Sequence, residues 1–352
     1  MIILAIETSC DDTCVALIEA KGERSSKIKV LSNFISSQVK IHQKYGGVYP
    51  FLAKREHQKN LPLLFEKVKK ETKNPKIDLI AVTVGPGLEP CLWVGVNFAN
   101  DLAKKLNLPI IPINHIEAHI FASLFQEHLR LQAFSKIFPA AALVVSGGHT
   151  QLILVRGFGK YKILGETRDD AAGECFDKIA RMLGLGYPGG PAIEKQASKI
   201  KKAKNKIPIK MPRPMIYQKN YDFSFSGLKT AALYNFKKQK PKVRKSKEYI
   251  ESMSKEVQQA IIDVLIHKTI KVAKDYKVKS IILGGGVTAN KELRKQFKEK
   301  IKKDLPDIKY YIPDNKYSTD NALMIAVAAY FHWVFGKKID WKKVTVNANL
   351  RV

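Results

Sequence analysis

Apolar and polar positions fall in blocks along the chain, and one block order occurs twice. Residues 2–6 are an unbroken apolar run, residues 7–12 are polar, and residues 13–18 are mostly apolar. That order predicts a strand, a polar turn and a second strand. Near the middle, residues 141–145 are apolar, Ser146-Gly147-Gly148-His149-Thr150 is small and polar, and residues 151–155 return to an apolar run. Two such hairpins about 140 residues apart predict duplicated halves, each an α/β lobe on a central sheet. Two unrelated hairpins are the plainer alternative. Between them, residues 77–84 read as a buried strand ending in Gly85-Pro86-Gly87, residues 92–106 as a helix, residues 109–113 as a short strand, and a helix follows from about residue 117. Further on, residues 171–185 read as a helix ending at Tyr187-Pro188-Gly189-Gly190, and residues 254–276 as a long amphipathic helix. Residues 280–283 read as a strand entering Gly284-Gly285-Gly286, with a helix from about residue 290 and an apolar helix over 321–335. Strands alternating with helices argue for doubly wound α/β lobes.

Composition sharpens this picture. A chain of 352 residues with 45% hydrophobic positions is too long for one ordinary domain and can bury a sizeable core, which excludes wholesale disorder. No apolar run reaches the roughly 18 residues a membrane helix needs. The longest, 322–335, is interrupted by His332. No basic segment or cleavage site precedes the first strand, so a signal peptide is not expected. Cys10, Cys14, Cys91 and Cys175 form no CxxC pair, which suits a reduced, cytoplasmic protein. The net charge of +29 calls for an anionic partner, most simply nucleic acid, against the plainer reading of lysines as surface decoration. Residues 199–210 hold six lysines and residues 237–247 hold seven basic residues. They flank the aromatic and hydroxyl-rich stretch from Tyr221 to Thr230, a combination that suits looped RNA through charge and stacking. Solvated loops are the alternative.

Three motifs carry candidate chemistry. His115 and His119 stand at i and i+4, so a helix puts both on one face and they can share a metal. A zinc protease of the HExxH type needs its Glu beside the first His. Here Glu117 lies two residues on, about 200° round the helix from His115, and points away from the metal face. A third ligand must come from elsewhere, and Asp320, just before the terminal helix, is the candidate; a helix N-cap is its other reading. Ser146-Gly147-Gly148 and Gly284-Gly285-Gly286 end strands, where small residues let backbone N–H groups approach a phosphate, a carboxylate or a ribose. Neither loop is a P-loop or a dinucleotide fingerprint, and each also fits a mere tight turn.

Taken together, IETSCDDT, HIEAH, VVSGGHTQL, DDAAGECFDKIARMLGLGYPGGP, FSFSGLKTA, GGGVTAN and YSTDNALMIA, spanning positions 6–326, closely resemble the bacterial TsaD family of tRNA threonylcarbamoyladenosine transferases. The resemblance implies an α/β fold of two actin/sugar-kinase/Hsp70-like lobes with a nucleotide cleft between them. Lobe one is expected over 1–133, completed by the helix 321–335, and lobe two over 134–320. The implied activity transfers a threonylcarbamoyl group from threonylcarbamoyl-adenylate to N6 of adenosine 37, beside the anticodon, in tRNAs reading codons that begin with A, with release of AMP. The rivals are a metalloprotease and a small-molecule kinase on the same fold. His115, His119 and Asp320 match the family's metal ligands, for one divalent ion per subunit, iron before zinc. Val144, Val145, Ser146, Gly147 and Gly148 match its acyl-adenylate loop. Asp177 and Glu194 match residues that hold the ribose or adenosine, and Gly190 and Asn290 match its remaining nucleotide contacts. The implied partners are tRNA, an adenylate-forming enzyme, an inactive TsaB-like paralogue and a small TsaE-like ATPase, with no membrane. The attacking amine also needs a proton acceptor. Asp11 or Asp12 is the candidate, against a reading in which both only shape the first turn. The chain departs from the family pattern at Tyr49-Pro50-Phe51, at Gly87-Leu88-Glu89-Pro90-Cys91 and in an apparent insertion over 126–137. These departures bear on partner binding more than on chemistry.

Overall fold

The computed structural model describes residues 1–21, 27–125, 134–200, 207–335 and 343–352. Most of the expected insertion and the middle of the 199–210 lysine run lie outside these residues. The chain divides into two compact units, one of residues 1–136 with 312–352 and one of residues 137–311. The return to the first unit comes at 311/312 rather than at 320, because the last strand of the second sheet ends at Tyr311.

Each unit is built on a five-stranded sheet. In the first, β1 (Ile2–Glu7), β2 (Asp12–Lys21), β3 (Lys27–Ser37), β4 (Leu79–Gly85) and β5 (Ile110–Asn114) lie in the order β3-β2-β1-β4-β5. β1 runs antiparallel to β2 and parallel to β4. In the second, β6 (Ala140–Val145), β7 (Thr150–Gly157), β8 (Lys160–Glu166), β9 (Ser280–Gly284) and β10 (Lys309–Tyr311) lie in the order β10-β9-β6-β7-β8. β6 runs antiparallel to β7 and parallel to β9. Read from β8 inward, the second order matches the first strand for strand, and so do the directions. The hairpins seen in the sequence, β1–β2 and β6–β7, are therefore equivalent parts of one repeated plan.

Burial follows from this layout. β1, β4 and β6 are central strands covered on both faces, so they read as continuous rather than alternating apolar runs. Leu4, Ile6, Val15 and Leu17 pack with Leu61 and Val68 from the helix Pro50–Glu71 and with Val96 and Ala99 from the helix Glu89–Leu106. The helix Ala322–Val334 packs on β1, β2, β4 and β5 and on the helix His115–Leu124. It is buried nearly all round, which explains an apolar run too short for a membrane. Among the described residues, no helix is long and apolar enough to cross a membrane. In the second unit the helix Lys247–Asp275 packs on β6 and on the helix Gly189–Ala197. It starts seven residues before its expected beginning, where Ser246 Oγ accepts the Tyr249 N–H at 3.3 Å and caps the helix.

Candidate metal centre and nucleotide cradle

In the first unit, β5 ends at Asn114, and its side chain accepts the backbone N–H groups of Ile116 and Glu117 at 2.8 and 3.2 Å. That cap starts the helix at His115, so His115 and His119 share one face, as their spacing requires. Asp320 precedes the helix Ala322–Val334. The capping role belongs to Asn321, which accepts from the Met324 N–H at 3.2 Å. Asp320 Oδ1 lies 3.6 Å from His115 Nε2 and 3.2 Å from His119 Nε2. One ligand atom from each of the three residues falls within 4.8 Å of the others.

The surroundings decide which ring nitrogens face this point. His115 Nδ1 sits 2.9 Å from Glu7 Oε2 and 3.3 Å from Ser9 Oγ, so Nε2 is left toward Asp320. Glu7 is fully buried and is held in turn by Thr83 Oγ1 at 2.7 Å and by the Ser9 backbone N–H. A carboxylate behind a histidine fixes its tautomer and ring plane and raises its basicity as a ligand. Sequence reasoning passes over Glu7, which reads as the first residue of the polar turn and is instead the last residue of β1. Burial pushes the Glu7 carboxyl up, but the imidazole of His115 outweighs it and the net direction is down. Burial lowers His115, and Asp320 and Glu7 together raise it above the ordinary histidine value. His119 moves down, through burial first and the charge of His115 after it. His119 Nε2 is buried and has no partner in hydrogen-bond geometry. Two imidazole nitrogens and one carboxylate converging within 4.8 Å fit a borderline divalent cation with open coordination positions.

Glu117 takes no part in this cluster. Its Oε2 lies 2.7 Å from Nε2 of His332, both side chains buried, and it ties the histidine helix to the terminal helix. Asp11 and Asp12 belong to the turn beside the centre. Burial raises both carboxyls, followed by the charge of Asp320 for Asp11 and by the charges of Asp11 and Asp320 for Asp12, which is pushed up to about 7. Asp12 Oδ1 is buried without a hydrogen-bond partner. Burial pushes up all four thiols, which are free, so none is set up as a thiolate nucleophile.

The second unit gathers the remaining expected residues. Val144 and Val145 are fully buried in β6, so their side chains serve the core and only backbone remains available to a ligand. The turn that follows is closed by Ser146 N–H to His149 O at 2.8 Å and by the His149 N–H to Ser146 Oγ at 3.1 Å. Gly147 and Gly148 sit exposed at its tip, with nothing within 4 Å of where a Cβ would stand. The helix Ala172–Met182 starts against this turn. A Cβ on Gly173 would lie 2.5 Å from Ser146 O, so only glycine permits the approach, and the positive end of the helix is brought to the loop. Gly285 has φ +88°, and a Cβ there would lie 2.4 Å from Val145 O, which seats the second glycine loop on the same strand end. Asp177 Oδ1 accepts the Gly189 N–H at 2.6 Å, beside Gly190. Glu194 Oε1 accepts the Lys291 N–H at 2.7 Å. Asn290 caps the helix Lys291–Asp304 through Leu293 N–H at 2.9 Å and donates to Gln258 Oε1 at 2.8 Å, so its amide is engaged within the protein on both sides.

The stretch from Tyr221 to Thr230 is not an RNA-stacking segment as it stands. Phe223 and Phe225 are fully buried. Asp169 collects the Phe225 and Ser226 N–H groups at 2.8 and 3.1 Å together with both serine hydroxyls, and Lys229 pairs with Asp170 at 2.8 Å. Burial would raise Asp169, and these four donors hold it below the usual carboxylate range. The exposed cations lie just beyond, at Lys237, Lys238, Lys240, Lys242, Lys245 and Lys247.

Residues 29–327 match the TsaD family, described as tRNA N6-adenosine threonylcarbamoyltransferase. A curated relative of that name from Thermosipho melanesiensis is 46% identical over 332 residues, covering 94% of each chain. Another from Geobacillus kaustophilus is 41% identical over 352 residues, covering 99% of this chain and 95% of the relative. Among solved structures, HypF from T. kodakarensis superposes with a TM-score of 0.56 at 15% identity, over 95% of this chain and 47% of that one. That likeness concerns the fold alone and agrees with actin/sugar-kinase/Hsp70-like units.

Proposed function

The chain belongs to the tRNA N6-adenosine threonylcarbamoyltransferase family, and on that basis we propose that it moves the threonylcarbamoyl group of threonylcarbamoyl-adenylate to N6 of adenosine 37 in tRNAs reading codons that begin with A. AMP leaves. The observation that carries this reading is the family match across most of the chain, joined to the two sites built by its motifs.

The chemistry asks for certain services. The exocyclic amine of adenine is a weak nucleophile because its lone pair is delocalised into the ring. The acyl donor is therefore a mixed anhydride whose leaving group is AMP. The backbone N–H groups at Gly147 and Gly148, with the helix start behind them, offer donors for phosphate or for charge developing at the carbonyl, a contribution of about 3 kcal/mol for each well-placed donor. Asp177 and Glu194, each already anchored through one oxygen to a backbone N–H, would hold the ribose and fix its orientation. His115, His119 and Asp320 would hold one divalent ion, iron before zinc, which supplies Lewis acidity when bound. Asp11 or Asp12 would accept the proton of the attacking amine. Asp12, raised to about 7, has the affinity a base needs near neutrality. The cationic residues between 237 and 247 would meet the tRNA backbone. A TsaB-like paralogue and a TsaE-like ATPase would be its protein partners.

A metalloprotease is disfavoured because the only glutamate between the two histidines is turned to His332. The deciding experiment is reconstitution with an adenylate-forming enzyme, partner proteins, threonine, bicarbonate, ATP and unmodified tRNA, followed by nucleoside mass spectrometry. Threonylcarbamoyladenosine in the digest supports the reading. Its absence, with caseinolysis sensitive to chelator, replaces it.

A further inference from the structure

Ten large apolar side chains are markedly exposed among the described residues, and three of them, Tyr45, Tyr49 and Phe51 at 60, 55 and 65%, fall within seven positions. The rings of Tyr45 and Tyr49 stack on each other at 5.8 Å between centroids and 30° between planes. Residues 40–56 contain four Lys or Arg and one acidic residue, Glu56, and Lys40, Lys44 and Arg55 are exposed in the same segment as the rings. Exposed aromatics where basic residues outnumber acidic ones are unfavourable for a free surface and suited to nucleobases, whose faces stack and whose phosphates are anionic.

The place of this patch gives it a purpose. The Tyr49 N–H donates to His42 Nδ1 at 3.2 Å, and His42 Nε2 meets Gln38 Oε1 at 3.0 Å. The Gln38 N–H donates to the Asp11 carbonyl at 2.9 Å. His57, on the helix that starts at Pro50, meets the Cys10 carbonyl at 2.9 Å and Thr13 Oγ1 at 2.8 Å. The aromatic segment is thus hydrogen-bonded, through two buried histidines and a buried glutamine, to the very turn that presents Asp11 and Asp12 beside the metal centre. All of these residues lie in the first unit.

We infer that Tyr45, Tyr49 and Phe51 form a stacking platform for unpaired bases of an RNA loop, engaging nucleotides that flank the reacting adenosine and holding that adenosine out of its own stack. This rests on the reading of the chain as a tRNA-modifying transferase. A reactive base must leave its neighbours to meet an acyl donor, and aromatic faces replace the stacking it loses.

The test uses the full-length protein and an anticodon stem-loop RNA carrying 2-aminopurine beside the target adenosine. Binding to the wild type is expected to change 2-aminopurine fluorescence as the base moves onto a ring. Tyr45→Ser, Tyr49→Ser and Phe51→Ser each weaken binding by about fivefold or more. The dependence of affinity on salt stays unchanged, since no charge is lost. Tyr45→Phe, Tyr49→Phe and Phe51→Tyr, which keep the rings, bind as the wild type does. Serine variants that bind the stem-loop with wild-type affinity and signal overturn the platform. If those same variants lose a partner protein on gel filtration, the patch is a protein interface instead. A wild type that transfers to tRNA while its serine variants bind equally well refutes the platform alone. A wild type that neither binds nor modifies RNA refutes both the platform and the transferase reading.

Discussion

Replacing Asp12 by Asn separates what this carboxylate costs the fold from what it does. Its Oδ1 is buried without a hydrogen-bond partner, and burial raises its affinity for a proton to about 7 from 3.8. A carboxyl raised in the folded state keeps its proton there while the unfolded chain has lost it, so stability falls as pH climbs from about 4 to about 7 and then levels off. Three units at about 1.4 kcal/mol each set a ceiling of about 4 kcal/mol, and the partial solvent access of Asp12 trims it to about 2–3 kcal/mol. Asparagine keeps the shape and removes the ionisation. Metal-free Asp12→Asn protein is therefore expected to melt above the wild type at pH 8, by roughly 4–12 °C at 2–4 °C per kcal/mol, with the gap closing toward pH 4. The assay is thermal unfolding with chelator present, followed by tryptophan fluorescence between pH 4 and 8. Transfer should move the other way, falling about 10²- to 10⁴-fold, as for loss of a general base. A stability difference that does not change with pH refutes the burial argument. A more stable variant with full transfer activity would leave Asp12 a purely structural burden.

Four further outcomes are expected. His119→Ala should lose bound metal by atomic absorption and lose transfer while still folding; full metal content would remove His119 from the ligand set. His115→Ala should do the same and melt lower as well, because Glu7 loses its imidazole. His332→Phe should lower the melting temperature by breaking the buried 2.7 Å hydrogen bond between Glu117 and His332, at about 1–3 kcal/mol, and an unchanged melt would mean that this bond does not hold the two helices together. Charge reversal of Lys238, Lys240 and Lys242 should weaken tRNA binding and flatten its salt dependence by roughly 0.7 or more in log–log slope for each phosphate no longer neutralised. An unchanged slope would make them surface decoration.

The repeated hairpins and the strands β1, β4, β6 and β9 are legible in the sequence because central strands in these sheets are apolar throughout, a signal confined to a few residues. β3, β8 and β10 are not, since they lie on the outer side of each sheet and mix polar with apolar positions. The helix Pro50–Glu71 escapes for a related reason: its buried side is a thin stripe of Ala53, His57, Leu61 and Val68, and Pro62 inside it signals a break. His115, His119 and Asp320 emerge from spacing and family likeness together. Glu7 does not, because what makes it a supporting carboxylate is Thr83 and His115, 76 and 108 residues away. The aromatic run at Tyr221–Thr230 misleads by composition, as Phe223 and Phe225 turn inward where Asp169 gathers the backbone around them. Tyr49-Pro50-Phe51 looks remote from the chemistry and is instead linked, through His42 and Gln38, to the turn that carries Asp11.

Because the first unit is discontinuous, its chemistry depends on the order of synthesis. The ribosome delivers His115 and His119 early, then the whole of the second unit, and only then Asp320 and the helix that clamps Glu117. The uninterrupted stretch 137–311 can therefore fold while the first sheet still lacks its covering helix. A translation product that stops near residue 311 would carry two histidines without their carboxylate, and an exposed apolar sheet face to mark it for disposal.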